Sequence, residues 1–214
     1  MFVTYPRSII PDIFLADKPD NYYVVSTAPK NLAVPVRDLK EHLRLPLDDD
    51  SQDIYLKNLI IAATEFAQTY TRRVFITTEF KTFRDCFPPC ITLRKSPLIA
   101  VSQLDYLVDG VPVVVDPLNY EIVFTSTYSS IHPVEDIPFP TDGDNVHQAV
   151  TVTFTAGYGP RHTDVPQSAR TAILMHAASL YENRGDCDGV TIPLASKQLY
   201  DTIRINQLIP LERC

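Results

Sequence analysis

"TFTAGYGPRHTDVPQSARTAILMHAASLYENRG", residues 153–185, joins two different periodicities through a glycine loop. Upstream, in "QAVTVTFTA" (148–156), Val150, Val152 and Phe154 share one face and Thr151, Thr153 and Thr155 the other, the period of a strand. Downstream, Ala169, Ala172, Ile173, His176 and Leu180 recur at steps of three and four, one apolar helix stripe. Pro166 suits the first turn of that helix and Gly185 its end. Strand, glycines and helix is also the order in which nucleotide pockets are built, but the details disagree. A Walker loop closes on Gly-Lys-Ser/Thr and this one has "GPRHTD", while a dinucleotide loop needs a third glycine and an early βαβ unit. Only Arg161 and His162 bring cationic character. The glycines are read as the means by which the chain leaves a sheet and turns onto a helix.

Working outward, a matching helical pair stands near the start. "VRDLKEHLRL" sets Val36, Leu39 and Leu43 at helical spacing, and Pro46 ends it. Asp50 is read as the cap of a longer helix through "IYLKNLIIAATEFAQTYTRRVF", whose stripe is Leu56, Leu59, Ala63, Phe66 and Tyr70. Between the two helical regions the period is two. Ile76, Thr78 and Phe80 oppose Thr77, Glu79 and Lys81. Leu104, Tyr106 and Val108 oppose Gln103 and Asp105. Asp109-Gly110 then makes a two-residue hairpin turn into "VPVVV". "NYEIVF" reads as a further strand and "SSIHPVEDIPFPTDGDN" as a proline-rich loop. A short helix from Ser196 to about Ile203 follows, then an apolar tail.

The expected fold class is therefore α+β: a bundle of about four helices with an antiparallel β-rich insertion between the second and third long helices, plus an extended N-terminal arm. The boundaries are 1–35 for the arm, 36–76 and 160–206 for the bundle, 77–159 for the insertion and 207–214 for the tail. The arm carries Pro6, Pro11, Pro19, Pro29 and Pro35, which exclude a long helix. "SIIPDIFLA" and "NYYVVS" are nevertheless too apolar for a solvated tail, so the arm lies either on its own domain or on a neighbouring subunit.

Composition narrows the function. Nineteen basic and 26 acidic residues leave a formal charge of −7, and the longest basic cluster is Arg72-Arg73, a poor footprint for a nucleic-acid grip. The start of the chain lacks the unbroken apolar core of a signal peptide, and no window reaches transmembrane length, so a soluble, cytosolic product at synthesis is expected. The cysteines are Cys86, Cys90, Cys187 and Cys214. The C-x₃-C pair has no second ligand pair, so no metal is assigned, and idle thiols are expected. The histidines (42, 132, 147, 162, 176) form no i, i+4 helical pair, and His176 reads as a core residue. Cys187 stands between Asp186 and Asp188, which oppose a thiolate. No catalytic constellation and no cofactor site emerges.

The order of these signals resembles the head–tail connector (adaptor) family of tailed bacteriophages and gene-transfer particles. "LKEHLRLPLDDDSQDIYLKNLIIAATEFAQTYTRRVF" is similar to the family's opening helices, though "TRRVF" replaces the glycine common after the second. "LRKSPLIAVSQLDYLVDG" and "DPLNYEIV" resemble its strands, "VTFTAGYG…VPQSARTAILMHAASLYENRG" its most recognisable segment, and "IPLASKQLYDTIRI" its closing helix. The resemblance covers about residues 36–206. It implies a non-enzymatic virion protein of the neck, present in the host cytoplasm before assembly, without cofactor or membrane. It also implies a homo-oligomeric ring, expected to be a dodecamer, beneath the portal protein. Such a ring extends the DNA channel, lets the genome pass without specific binding, and receives a stopper or tail-completion protein. Another ring component, such as a head stopper or tail-completion protein, is the alternative, and a small cytosolic enzyme a more distant one. Tyr200, Ile203, Ile205, Leu208 and Ile209 are the candidates for portal contact, unless this stretch folds back on the bundle. Ile9, Ile10, Ile13, Phe14, Leu15, Tyr22 and Tyr23 are the candidates for gripping the adjacent subunit.

Overall fold

The computed structural model describes residues 23–184, apart from 136, 142, 144 and 145, together with residues 192–206. Among them are four α-helices and two antiparallel sheets. Helices α1 (Val36–Leu43) and α2 (Asp53–Thr71) precede the strands, and α3 (Gln167–Glu182) and α4 (Leu194–Ile203) follow them. Their apolar stripes meet. Leu56, Ile60, Ala63 and Ala67 of α2 pack with Ala169, Ala172, Ile173 and Ala177 of α3, and Leu39 and Tyr200 join from α1 and α4. The α2 stripe is thus turned slightly from the expected one, with Leu59, Phe66 and Tyr70 at its half-buried margin. The many alanines at the α2–α3 contact let the backbones approach closely.

Polar ties fix the helix directions. The Tyr181 hydroxyl donates to Gln52 Oε1 at 2.9 Å, which sets the end of α3 beside the start of α2. The Tyr70 hydroxyl donates to Asp201 Oδ1 at 2.6 Å, which sets the ends of α2 and α4 together. Lys40 is buried and meets Asp53 Oδ1 at 2.5 Å while donating to the Asp49 carbonyl at 2.7 Å, so α1 is anchored to the first turn of α2. Asp50 does not cap α2 as expected. The helix starts at Asp53 after Gln52, with no side-chain cap, and Asp49 instead accepts from the Ser51 amide at 3.0 Å in a local turn.

The insertion is a two-layer β-module. Its larger sheet has the order β1 (Tyr23–Thr27), β2 (Thr78–Arg84), β8 (Val150–Ala156), β4 (Leu98–Val108), β5 (Val111–Val114). Its smaller sheet has the order β3 (Ile91–Leu93), β7 (Ser129–Pro133), β6 (Tyr120–Val123). Phe80, Leu104, Val150, Val152 and Phe154 face Ile91, Leu93 and Ile131 in one apolar core, the alternation expected of a sandwich. Asp109 (φ 51°) and Gly110 (φ 75°) make the hairpin turn the dipeptide announces.

Two expectations need correction, on the proline-rich loop and on Cys86. Part of the proline-rich loop, Ser129–Pro133, is the middle strand of the small sheet, held by pairing on both sides that its polar sequence does not advertise. Of the arm, residues 23–34 lie on their own domain, one of the two courses expected for it. Tyr23–Thr27 pairs with β2 as an edge strand, and Ala33 and Val34 are buried among the helices. Cys86 is held in a disulfide rather than standing as an idle thiol.

Besides the link from β1 to α1, the bundle and the β-module are joined by two crossing stretches of chain, residues 73–77 and 157–159. The Val74 amide donates to the Ser96 carbonyl at 2.7 Å, Tyr158 to Phe75 at 3.1 Å, and Thr77 to Gly159 at 3.0 Å. Arg72 ends α2 at φ 59°, so the left-handed bend that a glycine would take is made by arginine. Because Arg72 is exposed and its Cβ is strained there, Arg72→Gly is expected to raise stability by about 0.5–1 kcal/mol in chemical denaturation.

Candidate functional site

The loop between β8 and α3 is the first candidate, and its geometry answers the phosphate question. Three of the backbone amides that could cradle an anion are already committed. Gly157 N donates to the Pro97 carbonyl at 2.9 Å and Tyr158 N to Phe75. Arg161 N donates to Asp164 Oδ2 at 2.9 Å. Gly157 lies at φ +136°, where an added Cβ would stand 2.8 Å from Ile76 C and Thr77 N. A Cβ on Gly159 would stand 2.5 Å from the Asp164 side chain. Gly157 serves close passage of chain past chain and Gly159 makes room for the Asp164 side chain, and the loop is a joint.

The candidate portal residues separate. Tyr200 is fully buried in an aromatic cluster, with ring centroids 6.3 Å from Phe66, 6.2 Å from Tyr70 and 6.5 Å from His176. Burial pushes its hydroxyl far above the usual tyrosine range. Ile205 is buried as well, and its amide donates to the Thr71 carbonyl at 3.0 Å. The chain after α4 therefore folds back on the bundle as far as Ile205, which takes Tyr200 and Ile205 out of the free surface. Ile203 is half-buried, and Leu208 and Ile209 lie outside the described residues.

Of the candidate subunit-gripping residues, only Tyr23 is among those described. Its hydroxyl accepts from the Arg94 amide at 2.9 Å, its ring meets Phe154 edge-on at 6.0 Å, and Lys95 Nζ lies 5.4 Å from its centroid. Tyr23 thus makes its contacts within its own β-module. Ile9, Ile10, Ile13, Phe14, Leu15 and Tyr22 lie outside the described residues.

Arg73, suspected neither as core nor as joint, ties three parts of the fold. Its Nε donates to the Ile203 carbonyl at 2.6 Å and its Nη1 to the Ser126 carbonyl at 3.2 Å, and it reaches the Tyr158 hydroxyl. The guanidinium thus links the end of α2, the end of α4 and a loop of the small sheet. Arg73→Ala is expected to cost about 2 kcal/mol in urea unfolding, with faster amide exchange around Ser126 and Ile205. The Arg72-Arg73 pair is in this way a bend and a clamp.

What sequence reasoning passed over is surface. Ile54 and Leu194, 78% and 71% exposed, stand in the first turns of α2 and α4. Val111, Val113, Val114, Leu118, Val123 and Phe124 are exposed on the β-module. The signal for the second group was present: a proline inside "VPVVV" marks an edge strand.

With this geometry established, the comparisons are specific. Residues 35–105 match the family model of the phage gp6-like head-tail connector protein. That segment holds α1, α2, β2, β3 and most of β4. Solved structures share the fold of nearly the whole chain. A chain from the neck of an empty GTA particle, computed with C6 symmetry, has a TM-score of 0.77 at 23% identity, covering 90% of this chain and 100% of that one. One from the virion of a native gene transfer agent particle has a TM-score of 0.74 at 24% identity, covering 87% and 97%. One from the neck of a native GTA particle, computed with C12 symmetry, has a TM-score of 0.73 at 22% identity, covering 90% and 100%. No curated protein matches the chain significantly.

Proposed function

We propose that the chain is a non-enzymatic structural protein of a virion neck, a head–tail connector that forms a ring beneath the portal. The observation that carries this reading is the fold likeness over 90% of this chain and the whole of a GTA neck chain. The connector-family match in the opening helices and first strands supports it independently. Twelve copies is the stoichiometry we assign, because the neck structures that this fold resembles were computed with C6 and C12 symmetry. A ring needs head-to-tail contact between two different patches of one subunit. The formal charge of −7 suits a channel through which the genome slides without being held. The far side of the ring receives a stopper or tail-completion protein.

Portal docking falls to the tail beyond Ile205, with Leu208 and Ile209 as contacts and half-buried Ile203 at their base. Tyr200 and Ile205 act in this reading by holding α4 in place. Particles assembled without this chain are expected to package DNA and to accumulate as heads lacking tails. Normal yields of tailed particles in its absence would refute the proposal.

A further inference from the structure

Each sheet of the β-module has two edges, and the sequence fills them unequally. β1 and β3 lie on one flank: Arg94, just after β3, donates its amide to the β1 residue Tyr23, and Arg84 Nη2 on β2 donates to the Thr92 carbonyl at 3.4 Å. β5 and β6 are the opposite edges, joined through the short turn Pro117–Asn119. Six of the fifteen exposed large hydrophobics among the described residues fall between 111 and 124, on this flank alone: Val111, Val113, Val114, Leu118, Val123 and Phe124. Leu118 is 81% exposed and Phe124 58%. An apolar concentration of this kind marks a surface meant to be covered.

We propose that the β5–β6 flank is the seat for residues 1–22 of a neighbouring copy of the chain, an inference that rests on the ring reading above. The segment enters the structure at β1, on the opposite flank, so each subunit carries the donor on one side and the receptor on the other. That is the arrangement a head-to-tail ring requires. The donor is apolar where it must be, in Ile9, Ile10, Ile13, Phe14 and Leu15. Its 22 residues reach at most about 75 Å when extended, ample for crossing a subunit boundary. Reaching its own β5–β6 flank would lay this apolar segment across the outer face of the large sheet, which presents Thr151, Thr153, Thr155, Glu79 and Lys81.

The contact is made by side chains and not by adding a strand. The Val115 amide donates to the Leu104 carbonyl at 2.8 Å, which sets the ladder so that Pro112 and Val114 turn their backbone groups outward. Pro112 has no amide hydrogen to offer there, and the segment itself holds Pro6, Pro11 and Pro19.

The test uses full-length chain with photoreactive benzoylphenylalanine at Phe124, mixed from ¹⁴N- and ¹⁵N-labelled protein and assembled with portal. Cross-links from position 124 to residues 8–15 in mixed-isotope pairs are the expected result. In parallel, Leu118→Glu combined with Phe124→Glu is expected to keep the wild-type melting profile and to lower ring yield about tenfold. A chain beginning at Tyr23 is expected to lose as much, and the combination no more. Cross-links confined to single-isotope pairs, or wild-type ring yield from the double variant, would overturn the proposal while the wild-type ring on the portal still upheld the connector reading. Absence of the wild-type ring would overturn both.

Discussion

Gly157→Ala is expected to destabilise the protein by about 3 kcal/mol, combining backbone strain with overpacking. At φ +136° the residue occupies a region that side-chain-bearing residues rarely adopt. The added methyl would also stand 2.8 Å from the backbone of Ile76 and Thr77, and backbone held by its own hydrogen bonds cannot step aside. The Thr77 amide is bound to Gly159 at 3.0 Å and the Tyr158 amide to Phe75 at 3.1 Å, so any shift breaks the two-strand joint between bundle and β-module. Gly110→Ala is the control: φ +75° but no atom within 4 Å, with an expected cost of about 1 kcal/mol. Equal losses in urea denaturation would mean that conformational strain alone governs, and that the close crossing of the joint does not matter.

The second large effect lies at Tyr200. Tyr200→Ala empties the aromatic cluster of Phe66, Tyr70 and His176 and is expected to cost about 3–5 kcal/mol. Tyr200→Phe is expected to act in the opposite direction. The hydroxyl is buried without a hydrogen-bond partner among the described residues, so its removal should stabilise by about 1 kcal/mol. The same burial gives a pH signature. In the unfolded chain a tyrosine ionises near pH 10, whereas folded Tyr200, Tyr23 and Tyr158 are held above that by desolvation. A folded-state pKa raised in this way leaves the stability whole below about pH 10 and erodes it as the pH climbs further. Tyr200→Phe should therefore flatten the alkaline loss measured by denaturation between about pH 9 and pH 12. A variant that follows the wild-type curve would show that the phenol is not sealed from solvent.

These predictions also show where sequence reading succeeds. β8 and α3 were legible because their periods of two and about 3.6 run uninterrupted, and Asp109-Gly110 because its turn chemistry is local. The four-helix, antiparallel character followed from such signals. The small sheet was not legible. β3 has three residues and β7 reads Ser-Ser-Ile-His-Pro, and their pairing of Ile91 with Ile131 spans a long stretch of intervening chain. β1 was hidden for the same reason, since Tyr23 finds its partner only at Thr82. Tyr200 was singled out for its apolar neighbourhood, but a single helix stripe cannot tell an inward contact from a docking surface. The exposed β5–β6 flank escaped notice because Pro112 marks "VPVVV" as an edge strand without saying which apolar neighbours share that edge, and only the sheet order brings β5 and β6 to one side.

The connector reading meets its most direct test in images of the purified full-length chain mixed with its portal. The account predicts a twelve-membered annulus stacked coaxially on the portal, with the helical bundles in head-to-tail contact around an open channel. Portal rings carrying no added density, with the chain remaining as scattered monomers, would contradict it.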